Sequence, residues 1–535
     1  MKKVLASLFV AVALCAVAIP SSFVQAQSSS RRATSDATGQ TATRSARPDA
    51  APDEYFIAFR NGLTSNDIAS VKSLGATVTG RFSEVRALAA RINNARQLDA
   101  LARNPRVEYI EQVPMRYAMS LSDTELAPST SNGLYGLLTT KATTVHARGV
   151  TGAGINVGVA DTSLDYYHSD IAPNYRGGID TVGTGDSDPI NNDGETHGTH
   201  VAGTILGAFN NSGVRGVAYS ANLFHARVLG PNGGSTTDIM EGVRHLVEVR
   251  GCKVINLSLG GGLKSRTEEN FYKDMRAKGA LVVAATGNDG AGRVSYPAAY
   301  AVNIAVGAVD KNNALASFSN TGTNIDVVAP GVGVLSSVPR GQGFESSVTS
   351  GATYTSFGLE FAGTTAGTTG TLVNCGLGQA GEFPSGVAGN IALIQRGTIS
   401  FADKVTNAMN AGATAAIIYN NAAGDFTGTL GAAGNWIPAV SVSDATGATL
   451  RGLAGSSATV VNKASDWDHY DGTSMATPHT AGVIALIWSA NQALSNTTVE
   501  SYLYTTCTDL GAAGYDTTYG RGIVNADAAV AKTGR

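Results

Sequence analysis

Hydrophobic and polar positions follow several distinct patterns along this chain, and each predicts a different element. Lys2-Lys3 precedes an apolar run from Val4 to Ile19, then a looser stretch ending Val24-Gln25-Ala26. A charged start, a short apolar core and small residues at the end form a secretory signal. The run is too short to span a hydrocarbon layer of about 30 Å. From Glu54 the pattern alternates through Tyr55-Phe56-Ile57-Ala58-Phe59, which predicts a strand. A polar cap at Ser65/Asn66 then opens a helical stretch with Ile68, Val71 and Leu74 on one face, closed by Gly75. Extended sequence runs from Phe82 to Ile92. Asn93/Asn94 caps a second helix with Leu98 and Leu101 that stops before Pro105, and Arg106–Glu111 is a last strand. The order β-α-β-β-α-β predicts a ferredoxin-like α+β unit.

Further along, the strands change character. Gly154–Asp161, Val254–Leu257 and Ala280–Thr286 read as apolar strands, as buried parallel strands do. Between Pro339 and Asp471 a second set appears: a strand over Gly389–Gln395, a helical stripe of Phe401, Val405, Ala408 and Met409, and a strand over Ala415–Tyr419. Trp436–Val442 and a helix capped at Asp444 continue this βαβ unit.

Composition narrows the classes. With 535 residues, 15 % of them charged and 43 % hydrophobic, the chain is neither a disordered tail nor a coiled coil. Its 64 glycines have no period, which excludes collagen and favours turn-rich structure. The net charge of −3 conceals an asymmetry: residues 1–117 hold 15 Lys/Arg and 9 Asp/Glu, net +6, and the remainder is net −9. The whole-chain value gives no reason to expect nucleic acid or a membrane surface as partner. With the signal removed, Cys252, Cys375 and Cys507 remain, so at most one internal disulfide can form, and their spacing matches no metal motif.

Candidate chemistry lies at the ends of the apolar strands. The run Gly154–Asp161 ends in a carboxylate at the position where α/β sites collect. His197-Gly198-Thr199-His200 opens a helical stretch, and Gly472-Thr473-Ser474-Met475 precedes another, with Pro478 expected in its first turn. Asp161, His197 and Ser474 supply the orienter, base and nucleophile of an acyl-transfer triad. Their Asp-His-Ser order separates them from chymotrypsin-like and α/β-hydrolase arrangements. His200 reads as a packed helix residue rather than a metal ligand, and Gly376–Gly381 fits a dinucleotide-binding glycine pattern without the strand and helix it needs.

With these motifs in this order, the chain resembles the subtilisin-like serine proteases. The resemblance implies a three-layer α/β catalytic domain with a mostly parallel sheet. It implies Asn288, in Gly287-Asn288-Asp289-Gly290, as the oxyanion-hole amide beside the Ser474 N–H. Ser258, Leu259 and Gly260 match the substrate-pairing edge, and Asp289 falls where relatives line the first specificity pocket. Tyr296-Pro297-Ala298, Ile304-Ala305-Val306-Gly307-Ala308 and Ala329-Pro330-Gly331 also follow the pattern. One departure is Ser163 in Asp161-Thr162-Ser163, where the family has glycine; a demand for unusual backbone angles there would strain the turn.

The leader reads as a signal over 1–26 and a flexible linker over 27–52, and the resemblance divides the rest into an inhibitory propeptide over 53–117, a catalytic domain over 118–340 and 464–535, and an inserted protease-associated domain over 341–463. Ile391–Gly397 and Ser400–Val405 carry the likeness of the insertion, in which Ile399 replaces the cysteine that would partner Cys375. The insertion is read either as a lid or as a plain surface addition. Self-cleavage is expected near Tyr117–Met119. Asp170 stands where relatives bind structural calcium, and Asn211, in a loop one residue short, would complete that site. Asp186, Asp188 and Asp193 offer a second oxygen-rich group, read in preference as solvated loop carboxylates. The function implied is a secreted, autoprocessed, monomeric serine endopeptidase needing no cofactor for chemistry. It would act on proteins and peptides, be inhibited by its own propeptide, and have no nucleic-acid or membrane partner once the signal is gone. The alternatives are an inactive peptide-binding member and an esterase using the same chemistry.

Overall fold

The computed structural model describes residues 47–535 except 120–124, 127–133, 184–187, 191–193, 212, 423, 427 and 432–433. The expected signal and most of the linker lie outside the described residues, as do Asp186 and Asp193.

The leading unit is a four-stranded antiparallel sheet with two helices. Its strands Ala50–Phe59, Thr77–Phe82, Ala87–Arg91 and Val107–Ala118 stand in the spatial order fourth, first, third, second. Thr64 caps the helix Ser65–Ser73 in a capping box with Asp67, and Asn94 caps Ala95–Ala102. The period-2 pattern sorts the first strand between two cores. Ile57 and Phe59 face this unit's own helices, whereas Phe56 and Ala58 face the body of the protein.

The central sheet has seven parallel strands: Val327–Pro330, Ile304–Val309, Leu281–Ala285, Val254–Leu257, Asn156–Asp161, Asn222–Arg227 and Tyr175–Asp180, in that spatial order. The helices His197–Leu206 and Thr473–Ala490 pack on one face with Val157, Val159, Val283 and Val306. Thr236–Arg244 and Arg266–Ala277 cover the other, and the leading sheet lies over them. Glu111 of the leading unit caps the second of these helices, its carboxylate accepting from the Thr267 N–H at 2.8 Å and the Arg266 N–H at 3.1 Å.

The insertion forms an eight-stranded sheet running from Gly343 to Ser465. The predicted βαβ core is present as Ile391–Gln395, Phe401–Asn410 and Ala415–Tyr419. Its last helix is capped by Ser443, one residue before the expected Asp444, because the Ser443 hydroxyl accepts the Thr446 N–H. Three long strands, Gly343–Ser350, Thr365–Asn374 and Ser457–Ser465, went unpredicted, since their threonine, serine and glycine leave few apolar positions to read. Glu125–Leu126 pairs antiparallel with Asp425–Phe426 of the insertion.

Candidate active site

Asp161 ends its strand, His197 is the first residue of its helix, Asn288 follows the strand Leu281–Ala285, and Ser474 sits in the first turn of the helix Thr473–Ala490. All four therefore meet at the C-terminal edge of the parallel sheet. The Asp161 carboxylate and the His197 Nδ1 are 2.6 Å apart, and both side chains are buried. An ionised carboxylate accepts only, so Nδ1 carries the proton and the lone pair resides on Nε2. Among the described residues, that buried Nε2 has no hydrogen-bond partner. Gly198 lets the helix approach this closely, for a Cβ there would lie 2.6 Å from the Ser163 carbonyl oxygen and 2.7 Å from that of Thr162. Ser163 itself takes no positive φ, so the departure at this position causes no strain of that kind.

Ser474 Oγ donates to the Ser258 carbonyl at 2.9 Å, and Ser258 Oγ donates to the Ser474 carbonyl at 2.8 Å. The second bond follows from Pro478, which lies well inside the helix rather than in the expected first turn. Proline has no N–H for the carbonyl four residues back, and the Ser258 hydroxyl supplies the missing donor.

The chain's own Val107–Ala118 strand runs through this cleft. Ala118 pairs with Leu259 and Tyr117 with Gly260, and the Met119 N–H donates to the Ser258 carbonyl at 3.2 Å. On its other side Met115 and Arg116 pair with Ser235 and Gly234, an edge that the sequence reading missed because a two-residue strand has no period. The Met119 carbonyl oxygen lies 2.6 Å from Asn288 Nδ2 and 3.4 Å from the Ser474 N–H. Asn288 Oδ1 accepts from the Thr473 N–H at 2.9 Å and the Thr473 hydroxyl at 2.8 Å, which fixes the amide with its N–H₂ toward Met119. Asp289 is exposed, its backbone N–H held by Asn320 at 2.9 Å.

His200 donates through its Nε2–H to the Val334 carbonyl, 2.9 Å away, and stacks on Tyr470, with ring centroids 4.3 Å apart. Burial pushes its pKa down to about 3, so it is a neutral packing residue as expected. Tyr470 also reaches the hydroxyl of Thr196 at 2.5 Å, a tie between the residue before His197 and the segment before Ser474 that only the fold reveals.

The expected calcium site does not fit its residues. Asp170 is fully buried, and its carboxylate accepts from Asn210 Nδ2 at 3.0 Å, the Val214 N–H at 3.1 Å, the Ser337 hydroxyl at 3.1 Å and the Trp467 indole N–H at 2.7 Å. Calcium takes six to eight oxygens, whereas these donors already occupy both carboxylate oxygens. Asn210, not Asn211, reaches Asp170, and Asn211 is exposed. The three cysteines are free, so no disulfide joins them.

A model described as the subtilase family matches residues 152–355, and one described as the PA domain matches 368–450. The first contains Asp161, His197, Ser258 and Asn288; Ser474 lies beyond the insertion. The chain is 43 % identical over 243 residues to an alkaline protease of Shouchella clausii, covering 45 % of this chain and 60 % of that protein's length. It is 47 % identical over 206 residues to Subtilisin Savinase of Lederbergia lenta, 38 % of this chain and 74 % of the relative. Among solved structures, the subtilisin-like protease Apa1 of the psychrotroph Pseudoalteromonas sp. AS-11 aligns with a TM-score of 0.59 and 32 % identity, covering 76 % of this chain and 98 % of the other. On these likenesses, with the parallel sheet and the residues at its edge, the chain belongs to the subtilase family.

Proposed function

We propose that this protein is a secreted serine endopeptidase made as a zymogen, whose leading α+β unit inhibits it until the Met119–Ser120 bond is cut. The observation that carries this reading is the Met119 carbonyl oxygen, held 2.6 Å from Asn288 Nδ2 and near the Ser474 N–H. An oxygen set between two preorganised donors is where negative charge develops in acyl transfer. The strand pairing on both sides of Met115–Ala118 supports peptide, rather than a small ester, as substrate.

In this mechanism Ser474 Oγ leaves the Ser258 carbonyl, turns to His197 Nε2 and attacks the substrate carbonyl carbon as its proton passes to that nitrogen. Asp161 holds the imidazole in the required tautomer and stabilises the imidazolium. Asn288 and the Ser474 N–H bind the oxyanion; collapse expels the amine, which takes its proton from His197. Water then hydrolyses the acyl-enzyme by the same proton relay. Catalysis in this family needs no cofactor. Asp170 and Asn211 are not assigned a calcium ion here, since the donors around Asp170 do not fit one.

The test is expression of the full chain and of Ser474→Ala. Wild type should yield a protein beginning at Ser120 that digests casein, and the variant should stay at full precursor length without digesting it. Equal processing and digestion by both would overturn the reading.

A further inference from the structure

The strand in the cleft presents one side chain that the chemistry does not use. Counting back from the Met119 carbonyl, the fourth residue before the Met119–Ser120 bond is Arg116, and its guanidinium is completely buried. Arg116 Nη2 donates to the Glu268 carboxylate and to the Leu263 carbonyl at 3.0 Å; Nη1 donates to the Met115 carbonyl at 3.1 Å. Glu268 is also completely buried, and the Tyr300 hydroxyl lies 2.8 Å from the same carboxylate oxygen. Gly261 keeps the passage open: a Cβ there would lie 3.3 Å from Arg116 Nη1 and 2.7 Å from the Met115 carbonyl oxygen.

Glu268, Tyr300, Leu263 and Gly261 belong to the body of the protein and remain when the leading unit departs. Glu268 sits in the first turn of the helix Arg266–Ala277, where the helix dipole favours a carboxylate. A substrate strand paired with Leu259–Gly260 and Gly234–Ser235 in the same register would set its own fourth residue against this carboxylate. We propose that Glu268, with Tyr300 and the Leu263 carbonyl, is the specificity determinant for an arginine four residues before the scissile bond of protein substrates. The inference rests on the endopeptidase reading above and on the register that Met119 defines.

Selection works in both directions. The planar guanidinium reaches the carboxylate and a backbone carbonyl together, which a single ammonium does less well. An apolar side chain would close the pocket over Glu268 and leave its buried carboxyl group without its partner, an unfavourable arrangement. Burial alone raises the Glu268 pKa, and the neighbouring arginine opposes that rise, so the two groups suit each other electrostatically.

The test uses the processed enzyme from the full chain and four fluorogenic peptides carrying Arg, Lys, Leu or Glu before the common sequence Tyr-Ala-Met. The expected result is kcat/KM for the arginine peptide at least about tenfold above that for leucine, with lysine between and glutamate lowest. In Glu268→Gln the arginine-to-leucine ratio should fall to within about threefold, and in Glu268→Leu it should invert. Each ratio compares two peptides on one preparation, so partial misfolding of a variant cancels, and the wild-type ratio decides even if no variant folds. Equal wild-type rates on all four peptides, with Ser474→Ala inactive, would overturn the pocket and make the Arg116–Glu268 pair a lock for the leading unit alone. Failure of wild type to cleave any peptide or protein would overturn the endopeptidase reading, and the pocket with it.

Discussion

Asn288 Nδ2 donates to the carbonyl oxygen of Met119 at 2.6 Å. Because Thr473 engages the other end of the same amide through its N–H and its hydroxyl, the donor is aimed before any chemistry begins. Asn288→Ala is therefore expected to lower kcat by about 10²–10³ with a much smaller change in KM. Steady-state kinetics on active-site-titrated enzyme checks this; a rise in KM at unchanged kcat would place Asn288 in ground-state binding instead.

Trp467, in the segment that leads out of the insertion, supplies one of the four donors to buried Asp170 among the described residues. Trp467→Phe keeps the ring packing and deletes the donor, which should cost about 1.5–3 kcal/mol, the usual worth of a hydrogen bond to a charged group. Since Asp170 is satisfied by protein donors, a chelator should shift the unfolding midpoint of Asp170→Ala and of wild type by the same amount. Chelator sensitivity lost only in Asp170→Ala would reinstate a cation there.

Arg106 binds Asp67 in the leading unit through Nε at 2.6 Å and Nη2 at 2.7 Å. That pairing lowers the Asp67 pKa from 3.8 to about 2. The folded value is the depressed one, so the stabilisation is fully present above about pH 4 and is lost as pH falls through about 2. In a Ser474→Ala precursor, pepsin cleavage of the leading unit should rise across that window. Arg106→Gln should be cut faster than its parent at pH 4, and equal digestion would show that the pair adds nothing.

All three cysteines of the body are free thiols, and burial pushes Cys375 up to about 11, Cys507 up to about 12 and Cys252 higher still. Little thiolate exists at neutral pH, so native protein beginning at Ser120 should react slowly with a disulfide reagent and release three thiol equivalents once denatured. A reducing agent should leave its unfolding midpoint unchanged. A titre of one would reveal a disulfide.

Much of the architecture was legible because burial leaves a periodic trace. The alternation of Phe56 and Ala58 with Ile57 and Phe59 marks a strand between two cores, and the apolar runs ending at Asp161 and before Asn288 mark parallel strands covered on both faces. The insertion's Thr365–Asn374 strand was not legible: half of its residues are exposed and only Leu372 is buried in the core, so its pairing leaves no period of apolar side chains.

The sequence by itself determined the family and pointed to the Asp161, His197, Asn288 and Ser474 set and to an order of units, since each depends on local pattern or on motifs that survive as short words. Only the tertiary structure decided which donors surround Asp170, how Ser258 satisfies the carbonyl that Pro478 leaves unbonded, and that Arg116 meets Glu268, 152 positions later in the chain. Such contacts join residues far apart in sequence, where periodicity carries no information. Their energies come from burial, and burial exists only once the chain has closed around them.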